Sequence, residues 1–275
     1  MVRLIQVLSE AKGSNHGGVC RFDFPKTSDN NNEFYVKHCS RMNHKGDSSF
    51  AYQHQPVYEA VTCEMARILG LETPNFYVLM NDQDNLGFVS FGGQKMDIKP
   101  HQPFYFASEM LVHPKNESIS EAAKILEQEE FYLNMLMISD VVGKKNNYIH
   151  DPHSDRVIYV DLGCNIVDAH ENIMAFKTRH KSPLKKKDRR NAVKKFSRYE
   201  IVTKKGEGGK IGLMDFLESP RDMKLLSLNP RGNVRLDSLI PKIEIDEIVE
   251  RLIAGLYLGK GLSKNGDNIY LNRIK

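Results

Sequence analysis

Lys37, either Glu59 or Glu64, Asn147 and Asp161 are the residues of this 275-residue chain whose types and order could do chemistry together. That chemistry is phosphoryl transfer, which needs a cation to grip phosphates, acids or amides to hold magnesium, and a group to orient the nucleophile. Lys37 sits in an apolar strand-like run, Glu33 to Cys39, beside Tyr35 and Val36. A lysine there, at the edge of a cleft, reaches phosphate oxygens, and a carboxylate on the following helix, Glu59 or Glu64, would hold it. Asp161 ends the apolar run Val157-Ile158-Tyr159-Val160 and is followed by Leu162-Gly163. A carboxylate at such a strand end can point into a cleft and ligate magnesium. Asn146-Asn147, with Asn147 fourteen residues before Asp161, offers a second, neutral ligand. Each part taken singly has a plainer reading: a solvated edge lysine, a turn, a loop amide. Their combination in this order is what points to a nucleotide-using site.

The elements that must position these residues are legible from periodicity. Residues 2–8 alternate as a strand, Gly18 to Phe24 forms a second, and Glu33 to Cys39 a third, which makes an antiparallel meander with a glycine-containing first turn. A helix is expected from Pro56 to Leu69: Val57, Ala60, Val61, Met65, Ile68 and Leu69 recur near helical spacing, proline suits the first turn, and Gly70 follows the end. Asn75 to Met80 and Leu86 to Phe91 read as two more strands, and Gly92-Gly93 as a hinge. After residue 100 the character becomes helical, with segments at Ser118–Leu126 and Glu129–Ile138. A hairpin around Val157–Val160 and a last helix near Ile245–Leu258 complete the expectation. The fold class is therefore α+β: a small antiparallel β-rich lobe over residues 1–93 with one main helix, and a larger, mostly helical lobe over residues 94–275.

Composition sets the bounds. With 40% hydrophobic and 27% charged residues the chain is an ordinary globular one. No apolar run reaches the roughly 18 residues that a membrane span requires. The start, Met1 to Leu8, lacks the apolar core and cleavage site of a signal peptide, so a cytoplasmic location is expected. Cys20, Cys39, Cys63 and Cys164 are scattered without a CxxC pair, which disfavours a zinc site or a disulfide framework. Histidines show no HExxH spacing. The net charge of +4 is unevenly spread: Lys177 to Arg198 carries eleven Lys or Arg against the single acid Asp188, a local charge of +10. The remainder is net acidic. Lys185, Lys186, Lys187, Arg189, Arg190, Lys194 and Lys195 form its dense centre. So many like charges repel one another unless an anion neutralises them. A flexible solvated loop is one reading, and a polyanion site is the other: an inositol polyphosphate, an anionic lipid surface or nucleic acid. Only Phe176, Phe196 and Tyr199 offer aromatic rings nearby, which disfavours nucleic acid, since single strands are gripped by stacking.

Two stretches carry a family resemblance. Tyr58 to Pro74 (YEAVTCEMARILGLETP) resembles the N-lobe helix of HipA-like toxin kinases, in which a glutamate stands eleven residues before the glycine of a Leu-Gly-x-x-x-Pro-like ending. That resemblance selects Glu59 over Glu64 as the partner of Lys37. Val160 to Ile166 resembles the metal-binding Asp-Phe-Gly-type segment of phosphatidylinositol kinases and actin-fragmin-type kinases, and Leu133–Leu136 through Asn147–Ile149 is similar to their catalytic loop and the helix before it. The similarity covers roughly residues 30–170. It implies a two-lobed, kinase-like fold using ATP and Mg2+, with Lys37, Glu59 and Asp140 as catalytic residues and Asn147 and Asp161 on the metal. Lys37, Gly17, Gly18, Asn147 and Asp161 would contact the nucleotide, although Gly13, Gly17 and Gly18 do not form a GxGxxG pattern. The catalytic loop departs from the family: five residues before Asn147, where the aspartate is expected, stands Val142, and the nearest acid is Asp140. Either the loop is two residues longer and Asp140 orients the hydroxyl, or the aspartate is absent. Similar bacterial effector kinases imply a protein substrate, activation by a polyphosphate such as inositol hexakisphosphate, and delivery into a host cytoplasm. The readings left open are a Ser/Thr protein kinase, a lipid or inositol-phosphate kinase, and a pseudokinase that binds polyanions.

Overall fold

The computed structural model describes residues 3–10, 16–23, 32–39, 49–80, 89–91, 94–96, 103–111, 119–136, 138, 147–151, 154, 156–162, 213–225 and 233–265. It is a mixed α and β structure whose main sheet is antiparallel. The chain divides into two compact units. One comprises Met1–Val61, Pro74–Val112 and Lys224–Ile240; the other comprises Thr62–Thr73, His113–Met223 and Pro241–Lys275.

The first unit is built on β1 (Arg3–Glu10), β2 (His16–Asp23), β3 (Glu33–His38), β4 (Phe76–Met80) and a further strand near residue 104. Between them lie two short strands, β5 (Val89–Phe91) and β6 (Gln94–Met96), which pair with each other; β5 packs beside β1 and β2. The further strand, β7 (Phe104–Glu109), enters the sheet between β3 and β4, giving the order β1-β2-β3-β7-β4. The sequence reading turns helical after residue 100, and β7 corrects it. Phe104, Tyr105, Phe106 and Ala107 are all buried, so a strand covered on both faces shows no polar alternation to announce it. The expected strand at Leu86–Phe91 is represented among the described residues by β5, outside the main sheet.

Register sorts the side chains of this sheet. Residues directly opposite one another share a face. Lys37 stands opposite Phe106, and Phe106 opposite Val78. Phe76 stacks on Phe106 with ring centroids 5.7 Å apart. The other face collects Cys20, Phe22, Phe34, Val36, His38, Tyr105 and Leu79, with edge contacts between Phe22 and Phe34 and between His38 and Tyr105. Each large apolar side chain buried this way contributes about 1.5–3 kcal/mol.

Helix α1 (Gln55–Ile68) follows a single 3-10 turn, Tyr52–His54. The Ala51 N–H donates to the Tyr58 hydroxyl at 3.0 Å, which ties the entry turn to the helix. The stop matches the sequence expectation. Gly70 takes φ 87°, its N–H donates to the Arg67 carbonyl, and the Leu71 N–H reaches back to Ala66 at 2.9 Å. This paired closure satisfies the last carbonyls, and glycine is the residue that adopts such a φ without a Cβ penalty.

In the second unit α2 (Ile119–Met135) is one continuous helix where two segments were expected. Glu127 and Gln128, the two residues that separate those segments, are good helix formers and extend the helix. A hairpin of β8 (Tyr148–Asp151) and β9 (Arg156–Tyr159) follows, then α3 (Leu213–Glu218), and α4 (Lys242–Asn265) closes the unit against α2. Between α3 and α4 the first unit takes back β10 (Lys224–Leu225) and β11 (Val234–Arg235), a two-stranded ladder. In α4, Ile245, Ile248, Val249, Leu252 and Ile253 form a buried stripe at helical spacing. Among the described residues no helix is long and apolar enough to cross a membrane.

The α2–α4 contact hangs on one glycine. A Cβ added at Gly255 would lie 2.0 Å from the Met135 carbonyl oxygen, a backbone atom that cannot swing aside. Gly255→Ala is therefore expected to separate the helices and cost about 1–3 kcal/mol, read as a lower urea midpoint with an unchanged slope; a midpoint equal to wild type would show that the backbones yield.

Candidate functional site

Lys37 is placed on the sheet face that receives α1. Its ammonium lies 2.6 Å from the Glu59 carboxylate, and both side chains are withdrawn from water, at 6% and 2% exposure. The Nζ also stands 5.6 Å from the centre of the Phe106 ring. A cation over an aromatic face is attracted by the ring quadrupole. Of the two glutamates considered for this role, Glu59 makes the contact; Glu64, five residues on, lies 3.9 Å from Arg67 instead. A small recess of about 10 Å³ lined by Lys37, His38, Gln55, Pro56, Glu59 and Phe106 adjoins the pair. That is room for about one water.

Gly17 explains how β2 lies so close to this lysine. It pairs directly with Lys37 across the β2–β3 ladder, and Gly18 pairs with Val36. A Cβ at Gly17 would fall 2.0 Å from the Val36 carbonyl oxygen and 2.9 Å from the Lys37 Cα. The absence of a side chain here lets the two backbones approach, which is one of the defined uses of glycine inside a strand. Both glycines are buried strand residues beside Lys37, rather than part of the turn ahead of β2.

Asn147 and Asp161 are brought together by the β8–β9 hairpin. Tyr148 pairs with Tyr159, and one step further the Val160 N–H donates to the Asn147 carbonyl at 3.0 Å, so Asn147 and Asp161 flank the same end of the ladder. Asn147 is buried and Asp161 exposed. Asp161 has φ 53°, a left-handed conformation that Asp tolerates better than most residues and that often marks a functional turn. An amide and a carboxylate at one strand end are oxygen ligands of the kind magnesium takes, since it needs few protein ligands and keeps several waters. Among the described residues no group of three His, Cys, Asp or Glu side chains comes together.

Sequence reasoning missed what holds this hairpin. The Tyr159 N–H donates to the Glu72 carbonyl at 2.8 Å, and Arg156 reaches the Glu72 carboxylate at 2.7 Å. The Tyr159 hydroxyl donates to the Glu129 carboxylate on α2. Burial raises the Glu129 carboxyl above its ordinary value, the nearby Glu72 charge adds to the rise, and the Tyr159 hydrogen bond opposes it. Burial likewise drives the Tyr159 phenol up. A glutamate in the helix and an isolated tyrosine in a strand carry no sequence signal of pairing, so only the fold discloses them. Asp140, Asn146, the Gly92-Gly93 hinge and the basic residues Lys185, Lys186, Lys187, Arg189, Arg190, Lys194 and Lys195 lie outside the described residues.

Two outcomes test this geometry. Removing one partner of a buried ion pair strands the other charge, which typically costs about 3–5 kcal/mol, whereas removing both is far milder. Lys37→Met and Glu59→Gln should each lower unfolding free energy strongly and the double variant should recover most of the loss; additive losses would contradict the pairing. For Glu129, the folded protein holds the proton more tightly than the unfolded chain does. Its contribution is complete below the ordinary value of 4.5 and fades as pH rises through the raised value. The stability of Glu129→Gln relative to wild type should therefore grow between pH 4.5 and 7.5 in urea titrations, and a constant difference would refute it. No protein family, curated protein or solved structure matches the chain.

Proposed function

We propose that this chain is an ATP- and magnesium-dependent phosphotransferase with a two-lobed, kinase-like fold, acting on protein Ser or Thr hydroxyls. The observation that carries the reading is the buried Lys37–Glu59 pair. A buried ion pair is weak evidence for stability, because desolvation offsets most of its Coulomb energy. A lysine held on an aromatic sheet face by a helix glutamate is better accounted for as a cation kept in place to meet phosphate. The placement of Asn147 and Asp161 at one hairpin end supports the same reading.

In this account Lys37 grips the phosphates of ATP, Glu59 fixes its ammonium, and Asn147 and Asp161 hold magnesium. Magnesium, when bound, neutralises charge on the phosphate oxygens. Positioning and electrostatics supply most of phosphoryl-transfer catalysis. The nucleophile is oriented either by Asp140 or, where no aspartate enters the loop, by the placement of the hydroxyl alone. The basic segment, with +10 over residues 177–198, fits a compact polyanion, and we assign it to an inositol polyphosphate activator such as inositol hexakisphosphate. The same charge favours two other readings: a lipid or inositol-phosphate kinase whose substrate the segment grips, and a pseudokinase that only binds polyanions or anionic lipid.

The deciding experiment is transfer of the ATP γ-phosphate with magnesium, for wild type and Asp161→Ala, each with and without inositol hexakisphosphate. Transfer to protein that falls at least about 100-fold in the variant is expected, since magnesium positioning is a large part of the rate. Labelled lipid or inositol phosphate in place of protein would move the assignment to the second reading. No transfer and no ATP binding would leave the polyanion-binding pseudokinase.

A further inference from the structure

A hairpin of two four-residue strands is marginal on its own in water, so the one carrying the Asn147–Asp161 end depends on its attachments. Beside the bridge between Ile158 and Glu72, two of these attachments fall on Tyr159. Its main chain is held by the Glu72 carbonyl, its hydroxyl by the Glu129 carboxylate, and its ring is fully buried. The accompanying Arg156–Glu72 ion pair is exposed on both sides, and pairs of that kind contribute little. Tyr159 stands two residues before Asp161, and Val160 between them is bonded to Asn147. The next step along the chain is the left-handed turn at Asp161, with Leu162 buried beyond it. The exposed Asp161 carboxylate thus extends from a strand whose last residue is fixed at both its backbone and its side-chain tip.

We propose that Tyr159 and Glu129 are positioning residues for the Asn147–Asp161 pair: their hydrogen bond fastens the hairpin to α2 and thereby sets how that pair meets a divalent cation. This rests on the metal-binding reading above. Partners that orient metal ligands without touching the metal typically change affinity about 10–100-fold when removed. The geometry also predicts which changes matter. Tyr159→Phe keeps the buried ring and deletes only the donor. Glu129→Ala deletes the acceptor, while Glu129→Gln retains an oxygen able to accept from the hydroxyl.

The test is Mn2+ binding to the purified full chain in the presence of ATP, read by the loss of the free-ion electron paramagnetic resonance signal. Wild type and the variants Tyr159→Phe, Glu129→Ala, Glu129→Gln and Asp161→Ala are compared, with far-ultraviolet circular dichroism on each to confirm folding. Tyr159→Phe and Glu129→Ala should weaken binding about tenfold and Glu129→Gln by less than about threefold, with Asp161→Ala abolishing protein-dependent binding. Wild-type affinity in folded Tyr159→Phe and Glu129→Ala, alongside loss in Asp161→Ala, would overturn the positioning role and leave the metal site standing. Equal binding in wild type and Asp161→Ala would instead remove the metal reading, and the positioning role with it. If Tyr159→Phe unfolds, Glu129→Ala and Glu129→Gln decide the matter, since equal affinities in that pair contradict the proposal.

Discussion

The first unit is organised around a charge almost wholly withdrawn from solvent. Almost every residue of α1 from Pro56 to Cys63 is buried, so its apolar surface runs around the helix and offers no single stripe to set its rotation. The Lys37–Glu59 contact supplies that missing direction. Of the turns available to α1, only those presenting Glu59 to β3 avoid leaving an ammonium and a carboxylate buried and apart, at a cost of several kcal/mol. Neighbouring choices follow from the same constraint. Phe106 stands opposite Lys37 where its ring face can meet the cation, and position 17 is reduced to glycine so that β2 can close over the backbone at Lys37.

A second buried ion pair in the chain shows what is particular about the first. Arg251 and Glu247, four residues apart on α4, are both buried, and two guanidinium nitrogens reach one carboxylate oxygen at 2.8 and 3.2 Å. Burial lowers the Arg251 value, and Glu247 opposes the shift. The contact between those two side chains is closed within a single helix turn. The approach of α4 to α2 depends on Gly255, whose missing Cβ lets the two backbones come close. Lys37–Glu59 joins a strand to a helix across twenty-two positions of sequence, and so it specifies tertiary arrangement in a way the local pair does not.

The parts legible in the sequence are those with a local cause. Strands β1 to β3 show alternation, and α1 announces both ends through Pro56 and Gly70, the latter with the positive φ that makes glycine informative. Strand β7 is illegible because its covered faces erase alternation, and the continuity of α2 is illegible because the apolar spacing lapses at Glu127 and Gln128, although both are good helix formers. For the site, Lys37, Asn147 and Asp161 could be named from residue type and position, and the hairpin accounts for the fourteen-residue spacing between the last two. Glu59 could not be separated from Glu64 by pattern alone, as both lie on the same helix; the resemblance favoured Glu59, and the contact is the one found. Tyr159, Glu129 and Glu72 left no mark, because pairing between distant segments exists only once the chain is folded.

The two groups of candidate residues are prepared differently, and the difference has a physical logic. Lys37 is held in place by its own fold: its partner is in contact and both side chains are almost wholly withdrawn from solvent, so little side-chain freedom is left to it. Asp161 is the reverse, an exposed carboxylate on a left-handed residue, a backbone state that costs an ordinary residue roughly 1–2 kcal/mol and an aspartate less. Such a conformation persists when its surroundings over-determine it, and the hairpin ladder and the anchors on Tyr159 are part of those surroundings. An exposed carboxylate is not held by burial as the lysine is. Its backbone therefore matters as well, which places a demand for rigidity on the residues just before it and makes the strand end a feature on which a metal site at Asp161 would depend.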